Sequence, residues 1–259
     1  MEISILGCGS MGSAMARALA STHTLHLYDK NIDKARALAD ELNQTAYASS
    51  QQAVAHSQVI IVGVKPQIIE VAAQEIADHI TQDHLVISVA AGIPVGLLEK
   101  LFGQVPIVRC MPNIACTYGE GMIGLVDTGS YSLDIIETVE DALEPLGKLL
   151  WLSEDHIEAL TALSGSGLAF SLVMIESMVD AAVSMGMTAA QAMPIVLQML
   201  KGCVTLLEKS GKAPGELKWQ VTSPSGTTIA GIRALEQHGV RSGIMETFLA
   251  ANDRAYELQ

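Results

Sequence analysis

Short apolar runs alternate with amphipathic stretches along the first part of the chain. Runs such as EISIL, TLHLY, VIIVGV and LVISVA are each followed by a segment whose apolar residues recur every three to four positions. A short apolar run of this kind is typical of a buried strand, and the longer period is typical of an amphipathic helix. The alternation therefore predicts βαβ units on a parallel sheet, in the α/β class.

The pattern changes near residue 153. Beyond Glu154 the strand-like runs stop, and long stretches with apolar residues at helical spacing follow. We predict an α/β domain over residues 1–153 and an all-helical domain over residues 154–259. The predicted helices are apolar on more than one face, and about 100 residues can hardly bury such faces by themselves. We therefore expect a homodimer or larger homo-oligomer, held together through the C-terminal helices.

The first apolar run ends in GCGSMG, a G-x-G-x-x-G motif formed by Gly7, Gly9 and Gly12. The motif closes a predicted strand and opens a predicted helix, and Asp29 ends the second predicted strand. Gly7 would permit a tight turn, Gly9 a close approach of the backbone to a pyrophosphate, and Gly12 the packing of helix on strand. The context predicts a Rossmann-like dinucleotide-binding domain, with the pyrophosphate at the N-terminus of the first helix.

The choice between NADH and NADPH stays open at this point. Asp29 suits the ribose hydroxyls of NADH and would repel a 2′-phosphate, whereas the adjacent Lys30 could neutralise one. Further along, the fourth strand is predicted to end in Val64–Pro66 and the fifth in Ala90–Gly92. Both ends should line the crevice at the carboxyl edge of the sheet, where small residues admit the ribose and nicotinamide.

Composition and charge limit the kinds of binding partner and the cellular compartment that we expect for this protein. The formal net charge is −13 and the pI is about 4.8, which argues against nucleic acid and anionic lipid. Glu176 and Asp180 interrupt the most apolar segment, and no signal peptide precedes the first strand, so we expect no membrane span and a cytoplasmic location. The four cysteines form no CxxC pair and have no histidine at ligand spacing, so we predict no metal site and no disulfides.

Several sequence runs together resemble the pyrroline-5-carboxylate reductase family. The resemblance covers nearly the whole chain in the family's order, and its last run is the most specific. It implies reduction of 1-pyrroline-5-carboxylate to L-proline with NADPH or NADH, the last step of proline biosynthesis. The matching runs are GCGSMG at 7–12, VKPQ at 64–67, SVAAGI at 88–93, VRCMPN at 108–113, ALSGSG at 162–167 and VTSPSGTTIAGI at 221–232.

The resemblance also implies roles for single residues. It places the substrate carboxylate on the backbone N–H groups of Gly226, Thr227 and Thr228, with the Thr228 hydroxyl at the ring nitrogen as the catalytic group. It further implies that two subunits interlock, so that one subunit's cofactor domain works with its partner's helices. The cofactor contacts that the motifs and the resemblance indicate are Leu6, Gly7, Cys8, Gly9, Ser10, Met11, Asp29, Lys30, Ser50, Gly63, Val64, Lys65, Pro66, Val89, Ala90 and Ala91.

The chain departs from the family's usual residues at four places. The family has a glycine where this chain has Ser225, a proline at Leu168, a tyrosine at Phe170 and often an asparagine at Gln220. These departures bear on substrate fit and rate. Two alternatives therefore stay open: a related cyclic-imine reductase, and a sensor that binds NAD(P) without turnover. A β-hydroxyacid dehydrogenase is disfavoured, because residues 164–186 lack the lysine that it would need.

Overall fold

The structure is a computed structural model that describes residues 1–103 and 105–257. Contacts between residues divide the chain into two compact units. The first unit contains Met1–Gly165 together with the C-terminal residues from Asn252 onward, and the second contains Ser166–Ala251. The functional division after residue 153 stays a prediction, since the contacts group the chain in a different way.

The first unit is built on one sheet. Within the described ranges eight strands lie in the order β3-β2-β1-β4-β5-β6-β7-β8, and every neighbouring pair is parallel except β6 and β7. This order confirms the predicted α/β class with a Rossmann-like domain. The strands are β1 (Glu2–Leu6), β2 (Thr24–Tyr28), β3 (Thr45–Ala46), β4 (Val59–Val62), β5 (Leu85–Ser88), β6 (Ile107–Met111), β7 (Gly121–Val126) and β8 (Gly147–Leu152).

Helices bury both faces of the sheet. Side chains alternate along each strand, so that Ile3 and Ile5 of β1 enter one apolar core while Leu6 enters the other. All three side chains are at most 1% exposed. The helices of this unit are α1 (Ser10–Leu19), α2 (Ile32–Leu42), α3 (Ser50–Val54), α4 (Ile69–Ile76), α5 (Val95–Phe102), α6 (Leu133–Leu143) and α7 (Ile157–Leu160).

The fourth and fifth strands end earlier than the sequence pattern predicts. β4 ends at Val62 and β5 at Ser88, so the predicted ends Val64–Pro66 and Ala90–Gly92 lie in the following loops. Gly63 still donates its N–H to Leu6 O of β1, but Pro66 has no amide hydrogen and opens a 3₁₀ turn. The crevice at the carboxyl edge is thus lined by loops.

The second unit is helical throughout its described elements. Helix α9 begins with a capping box, in which Thr188 and Gln191 satisfy each other's backbone N–H groups. Helices α8 and α9 pack around Val179, Ala182 and Val196. The helices are α8 (Gly167–Ser184), α9 (Ala189–Ser210), α10 (Pro214–Gln220), α11 (Thr227–Gln237) and α12 (Val240–Glu257), of which the end of α12 belongs to the first unit.

Two helical segments are long and apolar enough to cross a membrane by length and composition. Glu154–Ser184 has a mean hydropathy of 1.5 and Ala189–Ser210 one of 1.4, and only 17% and 11% of these windows are buried within the chain. Glu176 and Asp180 lie within the first of these segments. The expectation of no membrane span stays a prediction, because a helix covered by protein can have the same length and composition. The large exposed apolar faces of α8 and α9 therefore indicate contact with another surface.

Candidate active site

Two positions of the first loop require glycine, because neighbouring backbone atoms lie too close to leave room for a Cβ. Gly7 has a φ of +107°, and a Cβ built there would lie 2.8 Å from the carbonyl oxygen of Gly63. A Cβ at Gly12 would overlap the carbonyl oxygen of Gly7. Loop, helix α1 and strand β4 therefore meet without room for side chains at these two positions.

Gly9 differs from these two glycines. A Cβ built at Gly9 would meet none of the described atoms within 4 Å, although Gly9 is the N-cap of α1 and has an ordinary extended conformation. No side chain caps this helix. The missing side chain therefore leaves open space in front of the N–H groups of the first helical turn, as a bound anion requires.

A cavity of about 430 Å³ adjoins the glycine loop, and we call it the glycine-loop cavity. Nine of the sixteen predicted cofactor residues line it, which brings together side chains from the ends of β1, β2 and β4. Its lining residues are Leu6, Gly7, Gly9, Tyr28, Asp29, Lys30, Lys34, Ser50, Gly63, Val64, Lys65, Ile68, Val71, Ala72 and Glu75.

Asp29 holds the glycine loop in place. Its Oδ2 accepts a hydrogen bond from the Cys8 N–H at 2.8 Å, and its Oδ1 accepts one from the Asn31 N–H at 2.9 Å. Burial, together with the charge of Asp29, raises the pKa of the Cys8 thiol to about 12, so Cys8 stays neutral. One carboxylate oxygen of Asp29 therefore binds the backbone of the glycine loop and the other binds the backbone at the N-cap of α2, a role that the sequence reasoning did not foresee.

The wall beyond Asp29 carries further charged groups. Lys30 and Lys34 bring two ammonium groups to the cavity, and Glu75 brings a carboxylate that accepts a hydrogen bond from the Ser50 hydroxyl at 3.3 Å. Burial, followed by the charge of Glu75, raises the pKa of Tyr28. Sequence reasoning missed Tyr28, Lys34 and Glu75. A signal in the sequence was available for Lys34, because a basic residue close to the end of the second strand can accommodate a 2′-phosphate.

A second cavity, of about 260 Å³, lies at the carboxyl ends of β4, β5 and β6, and we call it the strand-end cavity. It contains the predicted cofactor residues Pro66 and Ala91, and Gly92, which was predicted to line the crevice. Sequence reasoning missed the acidic Glu158. The lining residues are Pro66, Gln67, Ala91, Gly92, Met111, Glu158, Thr161 and Ala255.

Five predicted cofactor residues line neither of these cavities. Cys8 acts through its N–H, as described above, and Ser10 is exposed at the start of α1. Met11 and Val89 pack against the apolar core, and Ala90 is buried. No group of three His, Cys, Asp or Glu residues that could hold a metal ion occurs in residues 1–103 and 105–257.

The predicted substrate residues lie in the second unit, at the start of α11. Gly226 is the N-cap, with φ −81° and ψ 177°, and no side chain caps the helix. A Cβ at Gly226 would collide with the Ser223 hydroxyl, and Ser225 has a φ of +58°. Thr227 is exposed and Thr228 half-buried. Because no side chain caps this helix, the N–H groups of its first turn are available to an anion, as the predicted carboxylate site requires.

Known proteins resemble the chain over its whole length. The family model "Pyrroline-5-carboxylate reductase dimerisation" matches residues 154–258, and the model "NADP oxidoreductase coenzyme F420-dependent" matches residues 2–92. Pyrroline-5-carboxylate reductase 3 of Danio rerio is 41% identical over 81% of this chain and 73% of its own length. This chain belongs to the pyrroline-5-carboxylate reductase family.

Solved structures of family members have the same fold. A pyrroline-5-carboxylate reductase from Coxiella burnetii is 29% identical, with a TM-score of 0.89, over 99% of this chain and 98% of its own. Pyrroline carboxylate reductase from Plasmodium falciparum, solved with NADP bound, is 28% identical, with a TM-score of 0.85, over 98% and 97%. The family that the sequence motifs indicated and its nicotinamide cofactor are thus confirmed.

Family membership also bears on the helical region. The dimerisation model spans the exposed apolar helices α8 and α9 and the loop at Gly226–Thr228. Homo-oligomerisation, predicted from the apolar faces alone, agrees with this match.

Proposed function

We propose that this protein reduces 1-pyrroline-5-carboxylate to L-proline with NADPH or NADH, the last step of proline biosynthesis. The reaction adds a hydride to the imine carbon, and the ring nitrogen carries the proton. The observation that carries the proposal is the open space at Gly9, in front of an uncapped helix in a family whose relative binds NADP.

The residues of the glycine-loop cavity fit a dinucleotide. Backbone N–H groups at the start of α1 would bind the pyrophosphate, in the space that a side chain at Gly9 would fill. Lys30 and Lys34 would lie beside the adenosine ribose, where they favour a 2′-phosphate. When bound, the reduced nicotinamide supplies the hydride. The fit supports the predicted cofactor contacts at Leu6, Gly7, Gly9, Lys30, Ser50 and Gly63–Lys65.

The substrate would be held at the start of α11. Backbone N–H groups of Gly226, Thr227 and Thr228 would bind its carboxylate, and the Thr228 hydroxyl would hydrogen-bond the ring nitrogen. The substrate nitrogen can enter already protonated, so the protein need only orient it and exclude water. No histidine has to act as a general acid in this proposal.

The proposal also includes association of this chain with a second copy of itself. A second copy of the chain would cover the apolar faces of α8 and α9, rather than a lipid bilayer. We assign residues 1–153 to cofactor binding and residues 154–259 to dimerisation and substrate binding, with the loop of one subunit serving the cofactor domain of its partner. The acidic charge of −13 supports a protein without a nucleic-acid partner. We place its activity in the cytoplasm.

The test is oxidation of NADPH and NADH measured in parallel with 1-pyrroline-5-carboxylate. We expect turnover with this substrate and much less with 1-pyrroline, which lacks the carboxylate but keeps the C=N bond. Nicotinamide binding without turnover would contradict the proposal and favour the sensor. A higher rate with 1-pyrroline would favour a related cyclic-imine reductase.

A further inference from the structure

A buried carboxylate forms part of the wall of the strand-end cavity. Glu158, on α7, is only 5% exposed, yet it lines the cavity together with Pro66, Ala91 and Met111. Carboxylates are rarely buried to this extent unless charged partners hold them. Its position therefore needs an explanation beyond packing.

Arg109 holds Glu158 in this wall. The guanidinium is 2% exposed, and it donates from one nitrogen to Glu154 Oε1 at 2.8 Å and from the other to Glu158 Oε1 at 3.1 Å. Glu154 also accepts the Val95 N–H at 2.8 Å, which ties the group to the start of α5. Of the three charged side chains only Glu158 lines the cavity, and Arg109 and Glu154 form the ion-paired group that holds it there. In surroundings of low polarity such a charge acts strongly on a neighbouring ligand.

The position of the cavity indicates which part of the cofactor would meet this charge. Pro66 follows β4, Ala91 and Gly92 follow β5, and Met111 ends β6, three strands that are neighbours in the sheet. Lys65, next to Pro66, lines the glycine-loop cavity, so the two cavities adjoin along the carboxyl edge. With the pyrophosphate at Gly9 and the adenosine beyond it, the nicotinamide end falls at the strand-end cavity.

We propose that the Glu158 carboxylate favours binding of the oxidised over the reduced nicotinamide. The nicotinamide ring is neutral when reduced and carries one positive charge when oxidised. Glu158 would thus face a neutral ring before hydride transfer and a cationic ring after it, so its carboxylate stabilises the charge that develops. This inference rests on the proposed function, because it requires a nicotinamide at the strand ends.

The test compares affinities for NADP⁺ and NADPH by calorimetry, without substrate. In Glu158→Gln we expect the ratio Kd(NADP⁺)/Kd(NADPH) to rise on the order of fivefold or more, because the favourable charge is lost only for the cation. Glu75→Gln is the matched control. It removes the same charge from the glycine-loop cavity, where the cofactor is identical in both redox states, so the ratio should not change.

A ratio that stays within about twofold of wild type in Glu158→Gln would overturn the inference, as would an equal ratio change in both variants. Thermal unfolding checks that each variant folds. If Glu158→Gln does not fold, Glu158→Asp decides, since a carboxylate set back by one methylene should raise the ratio by a smaller amount. An unchanged ratio in Glu158→Asp would then refute the role. A wild type that binds neither nicotinamide would instead contradict the proposed function itself.

Discussion

Two helices of this protein begin in nearly the same way. Gly9 precedes α1 with φ −75° and ψ −169°, and Gly226 precedes α11 with φ −81° and ψ 177°. In neither case does a side chain cap the helix. Each start therefore offers backbone N–H groups to an anion, a pyrophosphate at α1 and a carboxylate at α11 in the function that we propose.

The two starts differ in what supports them. The loop before α1 is fixed by Gly7 and Gly12 packed against neighbouring backbone, and by Asp29, which accepts from the Cys8 N–H. The loop before α11 is exposed and contains Ser225 at φ +58°, a conformation that favours glycine. The proposed cofactor site is thus supported by the sheet, whereas the proposed substrate site lies on a surface loop that contains a strained residue.

The comparison predicts the largest effects for the glycines of the first loop. Gly12→Ala should destabilise the fold by about 3 kcal/mol or prevent folding, because its Cβ overlaps the Gly7 carbonyl. Gly9→Ala should melt within about 2 °C of wild type, because its Cβ meets none of the described atoms. Its NADPH affinity should nevertheless fall about tenfold or more, since the methyl group occupies the anion's place.

Thermal unfolding and calorimetric titration on the same preparations measure both quantities. A Gly9→Ala variant with wild-type affinity would show that the pyrophosphate does not bind at α1.

The second loop is tested through Thr228. Thr228→Ala should lose roughly 10- to 100-fold in kcat/KM, the scale of one orienting hydrogen bond of about 1.5–3 kcal/mol. Its NADPH affinity should hardly change, which distinguishes this loop from the first. Steady-state kinetics and calorimetry provide the two readouts. Thr228→Ser, which keeps the hydroxyl, is the control and should retain much of the activity; a fully active Thr228→Ala would reduce the hydroxyl to a structural feature.

Substitutions at Asp29 and Lys34 test two different roles: support of the glycine loop and recognition of a 2′-phosphate. Asp29→Ser removes the acceptor of the Cys8 N–H, so affinities for NADH and NADPH should both fall, by about tenfold for a hydrogen bond to a charged group. Lys34→Gln should weaken NADPH by about fivefold and leave NADH nearly unchanged.

Steady-state kinetics and calorimetric titration of each variant with both coenzymes decide between two expectations for Asp29. The sequence motif alone predicts that Asp29→Ser improves kcat/KM with NADPH, because a charge facing the 2′-phosphate is removed. An improvement with NADPH would therefore refute the support role.

The smallest effect concerns the strain at Ser225. Ser225→Gly should stabilise the protein by about 0.5–1 kcal/mol, because glycine adopts a positive φ without steric cost. Asn43→Gly is the matched control, since Asn43 has a φ of +54° at the end of α2 and asparagine tolerates this conformation better. Urea unfolding of the three proteins measures the difference. An equal gain at both positions would show that Ser225 carries no special strain.

Local patterns in the sequence were sufficient for the fold and the glycine loop. The αβ alternation, the G-x-G-x-x-G motif and the change to helical spacing near Glu154 all predicted features that the structure contains. These signals succeed because strand, turn and helix preferences act over a few neighbouring residues. The bounds of β4 and β5 were less accurate, because β4 ends at Val62, ahead of the 3₁₀ turn that Pro66 opens, and β5 ends at Ser88, ahead of the predicted end.

Residues far apart in sequence formed the parts that local patterns could not predict. Glu75, on α4, lines the glycine-loop cavity. Glu158 lines the strand-end cavity and is held there by an ion pair with Arg109, which lies 49 positions earlier in the sequence. Nothing in the spacing of these residues marks them as neighbours. Only the packing of helices on the sheet brings them to the carboxyl edge, where low polarity makes their charges effective.

Asp29 shows the same division within one residue. Its position after β2, 22 residues beyond Gly7, was determined by the sequence and identified it as part of the nucleotide site. The tertiary structure decided which groups its oxygens meet, because the pairing of β1 with β2 brings the Cys8 N–H within 2.8 Å of the carboxylate. The sequence by itself therefore determined the elements and the motifs, through preferences that are local. Hydrogen-bond partners, buried charges and cavities were decided only by the folded chain, because they depend on distances between segments that sequence separation does not encode.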